Sequence, residues 1–146
     1  MKKLIKLTVT AIIAITMSSV IFAADGIWTS TAASGNWSDG GNWDSGIIAG
    51  GSGATAEFTN AIPGTVDCII DAATTIGNIN FADGDATPNN RDLEAGGADL
   101  TLAGGPTINS DASVNQANIK CILAGTEGFT LTGDGIVNIG VLIATQ

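Results

Sequence analysis

From Ala54 onward the chain is dominated by short runs in which apolar and polar residues alternate with a period of two. In TVDCIID, Val66, Cys68 and Ile70 fall on one face and Asp67, Ile69 and Asp71 on the other. TIGNINF aligns Ile79 with Phe81, ADLTLAG aligns Leu100 with Leu102, and ANIKCIL aligns Ile119, Cys121 and Leu123. GFTLTG aligns Phe129 with Leu131, and GIVNIGVLI aligns Val137, Ile139, Val141 and Ile143. Successive side chains on a strand point to opposite faces, so the pattern predicts half-buried strands separated by Gly, Asn and Asp turns. No stretch after residue 23 combines a helical period with caps. The expected fold class is all-β.

These strands carry mostly single Ile, Leu or Val side chains, not the aromatic-rich runs of a typical sandwich core. LTLAGGPTINS and LTGDGIVNIG echo one another, each as a strand, a Gly-centred bend and a second strand. Stacked short strands with Gly and Asn corners and small inward residues are what a parallel β-helix requires. A β-solenoid is the expected architecture, with a β-sandwich or jelly roll as the alternative. Residues 24–53 differ from the rest, being rich in Gly, Ser, Asn and Asp and holding all three tryptophans, Trp28, Trp37 and Trp43. Little else there can be buried, so this segment is predicted to cap the N-terminal end of rungs formed by residues 54–146. Alternation runs to Ile143 with no charged residue after Asp134. An edge without charge or Pro invites pairing, so a truncated longer repeat protein, or association through residues 135–143, is expected.

Charge adds a compartment. Lys2, Lys3 and Lys6 precede the apolar residues 7–23, and Ile21 and Ala23 occupy the −3 and −1 positions of a cleavage site before Ala24. Residues 1–23 therefore read as an export signal. The apolar stretch falls short of the roughly 20 residues of a membrane span, with an uncleaved anchor as the alternative. Beyond it only Arg91 and Lys120 stand against 14 acidic residues, a formal charge of −12. Such a surface repels phosphate backbones and anionic headgroups, so neither nucleic acid nor a membrane is an expected partner of the mature chain. The chain has no His and no Tyr, which excludes Ser-His-Asp and Cys-His mechanisms.

The sequence WTSTAASGNWSDGGNWDSG, followed by GSGATAEFT, resembles the opening of bacterial proteins with autotransporter-associated β-strand repeats. The matching elements are Trp28, Asn36-Trp37-Ser38, Asn42-Trp43 and a strand ending at Phe58. TVDCIIDAATTIGNINFADG is similar to the family's next piece, and GFTLTGDGIVNIG to its Gly/Thr-rich repeat, with Leu131 where a Lys is usual. The resemblance implies a right-handed parallel β-helix at the cell surface or secreted, with a structural or adhesin-like role and no catalytic residues.

Four groups of residues are candidates for chemistry. Trp28, Trp37 and Trp43 form either the cap or a platform for stacking extracellular glycans, as in a carbohydrate-binding module. Asp83, Asp85, Asp92 and Glu94 lie in FADGDATPNNRDLEAGG, which reads as an acidic loop able to curl round calcium, the one cofactor entertained. That spacing matches neither an EF-hand nor a calcium-binding β-roll, so a solvated loop is the plainer reading. A polysaccharide lyase on a β-helix would need an Arg or Lys base, and only Arg91 and Lys120 are on offer. A hydrolase would need two carboxylates at a set separation, for which 14 acids always offer some pair. Cys68 and Cys121 are an even pair in an exported chain, which suggests a disulfide. Their inward parity and a separation of about two rungs suggest instead two unpaired buried thiols, since rungs about 4.8 Å apart put them beyond bridging distance.

Overall fold

The computed structural model describes residues 22–140 and the backbone of residues 143 and 144. Residues 1–21, which fall in the expected export signal, Val141 and the side chain of Ile143 lie outside the described part. Twelve strands follow in order: β1 (Gly26–Ile27), β2 (Ser34–Asn36), β3 (Thr55–Phe58), β4 (Val66–Ile70), β5 (Thr74–Phe81), β6 (Asn90–Ala95), β7 (Asp99–Ser110), β8 (Gln116–Ile119), β9 (Ile122–Ala124), β10 (Thr130–Thr132), β11 (Val137–Ile139) and β12 (Ile143–Ala144). One sheet runs β1-β3-β5-β7-β9-β12 with β10 also beside β7, and the other runs β11-β8-β6-β4-β2. Every pairing between these strands is parallel. Up to β7 each strand pairs with the strand two places on, so the chain passes from one sheet to the other and returns one rung higher. The result is a parallel β-solenoid of about three turns. Parallel neighbours need long crossovers and sandwich hairpins need antiparallel ones, so the sandwich alternative falls.

Register explains the alternation. Ala56, Ile79, Ile108 and Leu131 stand in one column, and Cys68, Leu93, Ile119 and Ile139 stand in another on the second sheet. All of these are buried except Leu131 and Ile139, which belong to the last rung. Each fully buried Leu or Ile contributes about 1.5–3 kcal/mol, so the core is built by repetition, not by any one residue. The outward columns are polar and bonded from rung to rung. Asn78 Nδ2 donates to Thr55 Oγ1 (3.4 Å), and Thr107 Oγ1 donates to Asn78 Oδ1 (2.7 Å). Alongside, Asn80 Nδ2 donates to Glu57 Oε1 (2.8 Å) and Thr132 Oγ1 to Asn109 Oδ1 (3.0 Å). The abundant Asn and Thr are therefore ladder residues as well as turn formers.

Rungs differ in length, and one corner absorbs half of the difference. Thr55 and Asn78 are 23 positions apart, Asn78 and Thr107 are 29, and Asn109 and Thr132 are again 23. Three of the six extra residues arise at positions 103–106 of β7, which stand opposite the single Gly77 of β5. Gly104 and Gly105 adopt φ of 90° and 73°, values that side chains resist. A Cβ on Gly77 would collide with the backbone of Gly53 one rung below. The echo between LTLAGGPTINS and LTGDGIVNIG does not stack: Leu131 pairs with Ile108, whereas Leu100 pairs with Leu123. Each half of the echo turns a different corner.

Residues 24–53 do two things. They supply β1 and β2 to the stack, and they fold two short 3₁₀ turns, Gly40–Asn42 and Asp44–Gly46, across its end. Asp39 starts the first of these by accepting from Gly41 N (2.9 Å).

Cys68 and Cys121 are both buried and free. They lie two rungs apart, on β4 and directly after β8. Burial raises both thiols well above their ordinary values, Cys121 to about 11. Denatured, unreduced protein is expected to consume two equivalents of a thiol reagent and native protein almost none. A denatured chain without free thiols would contradict this pairing state.

Candidate functional site

The three indole rings meet over Phe58, the last residue of β3. Trp28 and Trp43 pack edge-on at 5.2 Å, and Trp37 and Trp43 at 5.0 Å. All three lie within 5.6–5.9 Å of the Phe58 ring, which stacks on Phe81 of the next rung at 5.5 Å. Each indole N–H is used: Trp28 donates to Ser30 O (3.1 Å), Trp37 to Ala49 O (3.0 Å) and Trp43 to Trp37 O (2.8 Å). None of the rings is more than 3% exposed. A covered ring offers no face to a sugar, so this cluster closes the end of the core and is not a platform in this conformation. A shallow depression beside it, bordered by Phe22, Ile48 and Thr74, has no titratable side chain in its wall.

Ser38 ties the cap to the solenoid, its N–H and hydroxyl donating to Asp71 Oδ1 (3.0 Å) and Oδ2 (2.5 Å). Partial burial opposes ionisation of Asp71, but the Ser38 hydrogen bonds outweigh it and hold the carboxyl below its ordinary value. A depressed carboxylate contributes stability above the unfolded value near 3.9 and loses it as pH falls through the lower folded value. The blue-shifted tryptophan emission of the cap is therefore expected to give way in that acid window. Asp71→Asn should flatten this part of the fluorescence profile.

The four acids expected to form one loop are divided by the structure. Asp83 is buried in the corner after β5, where it accepts from Ile62 N (3.3 Å), Asp85 N (3.4 Å), Asn89 N (3.1 Å) and Asn89 Nδ2 (3.4 Å). Asp85 accepts from Thr87 N (2.7 Å). Both carboxylates are turn organisers. Asp92 and Glu94 instead lie on β6, beside Asp67 of β4, with which Asp92 shares a register column. Among the described residues this trio is the one group of carboxylates close enough to share a cation, with ligand atoms within 4.8 Å of one another. A cation is already supplied. Lys120 Nζ donates to Asp92 Oδ2 (2.7 Å) and Glu94 Oε1 (2.6 Å), bonds that raise its pKa strongly. Asn118 Nδ2 donates to the remaining Asp92 oxygen (2.6 Å), and Asn118 Oδ1 accepts from Asn138 Nδ2 (2.8 Å). Burial and then the neighbouring Asp92 and Glu94 raise the Asp67 carboxyl, against the pull of Lys120. The geometry describes a charge ladder between rungs.

Arg91 is the residue that the pattern left unexplained. It stands in the inward column between Val66 and Ala117 and is 1% exposed. Its Nη2 donates to Asn60 O, while Nε and Nη1 have no protein partner. Burial lowers its pKa to about 10, with Asp83 opposing. Of the two basic groups beyond residue 23, Arg91 is thus buried and Lys120 is paired with Asp92 and Glu94.

No protein-family model, curated protein or solved structure matches this chain.

Proposed function

We propose that the protein is an exported, non-catalytic structural module, an adhesin-like β-solenoid held at the cell surface or released. The observation that carries this reading is that the tryptophans, Lys120 with Asp92 and Glu94, and Asp83 are occupied in closing the core or holding rungs and corners together. The tryptophans are sealed, Lys120 spans Asp92 and Glu94, and Asp83 organises a corner. The resemblance to autotransporter-associated repeat proteins, the lysine-rich start and the acidic surface of the mature chain favour export. No helix among the described residues is long and apolar enough to cross a membrane.

The test is to express the full chain with a C-terminal tag in a bacterium, fractionate the cells and sequence the N-terminus of the product. A product beginning at Ala24 in the periplasm, at the surface or in the medium is expected. Retention in the cytoplasm with residues 1–23 intact would overturn the reading. Assays of the same product on acidic and neutral polysaccharides should detect no cleavage. Turnover abolished by Lys120→Ala or Arg91→Met would place the chain among enzymes instead.

A further inference from the structure

Among the described residues, four buried side-chain polar atoms have no protein partner: Asn60 Oδ1, Arg91 Nε, Arg91 Nη1 and Ser110 Oγ. All four belong to one edge of the solenoid, where the chain turns from the sheet of β3, β5 and β7 to the sheet of β4, β6 and β8. Asn60 lies in the turn after β3, Arg91 is the second residue of β6, and Ser110 ends β7, so three successive passes each contribute. Asn60 and Arg91 are in contact, with Arg91 Nη2 donating to Asn60 O. On the next pass, the positions stacked on Phe81 and Arg91 carry the small side chains of Ser110 and Ala117. Native interiors leave few such groups unpaired, and here they are gathered at one edge.

We infer that this edge binds an internal water molecule, held between Arg91 and Asn60 with the Ser110 hydroxyl as a third partner. The donor set selects the guest. Arg91 offers only N–H donors, so the guest must accept from them. Asn60 Nδ2 is bonded to Thr29 O (3.3 Å), which leaves the buried Oδ1 as an acceptor. The guest must therefore donate as well. An inorganic anion such as chloride cannot, and Asp83, the acid that faces Arg91, would repel it. A metal ion would meet the guanidinium charge. Water both accepts and donates, and buried waters typically make about three hydrogen bonds, one for each residue here. Its bonds would join rungs from within, as the Asn and Thr columns join them from outside. This inference does not depend on the proposed function.

The test is oxygen-17 relaxation dispersion on the full chain as the expressing cell leaves it, which detects waters held far longer than surface hydration, together with a crystal structure of the same protein. A long-lived water is expected, with density within hydrogen-bonding distance of Asn60 Oδ1 and of Arg91 Nε or Nη1. Arg91→Met should lower the long-lived amplitude by about one water. Lys120→Met, on the solvent-facing ladder, should leave it unchanged. Unchanged circular dichroism will show that the variants fold, and the density in the parent chain decides the matter if Arg91→Met does not. Thermal midpoints should be equal in fluoride and chloride at one ionic strength. Absence of a long-lived water, a protein side chain in place of that density, or equal losses in Arg91→Met and Lys120→Met would each overturn the inference. So would a chloride-specific rise in midpoint that Arg91→Met abolishes, which would make the guest an anion.

Discussion

Replacing Trp43 by alanine is expected to destabilise the protein by about 3–5 kcal/mol, the range for truncating a buried large aromatic. Trp43 touches both other indoles and Phe58, and its N–H is bonded to Trp37 O. Alanine would leave a void in the middle of the cluster and orphan that carbonyl. Because Phe58 stacks on Phe81, the damage should reach the second rung, not stop at the end. Urea unfolding followed by circular dichroism measures it. A loss under about half a kcal/mol would mean that the ring is exposed in solution. Glycan stacking would then return as a live function for the cluster.

The second large effect belongs to Asp83. Asp83→Ala removes the acceptor of three backbone N–H groups and the negative charge facing Arg91. Leaving a buried donor without an acceptor costs about 1–3 kcal/mol, and three such donors lose theirs. Arg91→Met should behave in the opposite sense. It replaces a buried guanidinium having two unpartnered nitrogens by an apolar chain in a column shared with Val66 and Ala117. Such replacements are commonly neutral or stabilising by about 1–4 kcal/mol. The double variant Asp83→Ala/Arg91→Met should therefore recover part of the Asp83→Ala loss. Strict additivity in that cycle would show that the two groups do not feel each other.

The contrast between β4 and β6 marks how far the sequence can be read. Val66, Cys68 and Ile70 alternate with polar or half-buried neighbours, and that parity survives intact in the structure. β6, Asn90–Ala95, reads NRDLEA and offers a single large apolar residue, Leu93. Nothing local distinguishes it from an acidic loop. Its strand character is imposed by β4 and β8 on either side, and that pairing also turns Arg91 inward. The acidic trio was half legible for the same reason. Asp92 and Glu94 stand out by composition, but Asp67 joins them only through cross-rung register. The signal was a separation of about one rung, invisible until the rung length is known. In the cap, by contrast, the burial of three tryptophans follows directly from the scarcity of other apolar residues around them.

Stacking of rungs by hydrogen bonds parallel to the long axis has a mechanical meaning. A pull applied between the cap and the far end loads those bonds along their own direction, and neighbouring rungs separate like the teeth of a zip. Each rung touches chiefly its two neighbours, so release should proceed one rung at a time, not in a single rupture. With rungs of 23 and 29 residues, each step should free roughly 80–100 Å of extended chain, at about 3.3–3.6 Å per residue. Under tension the solenoid would lengthen in unequal steps, with the extra residues at Gly104 and Gly105 adding to one of them.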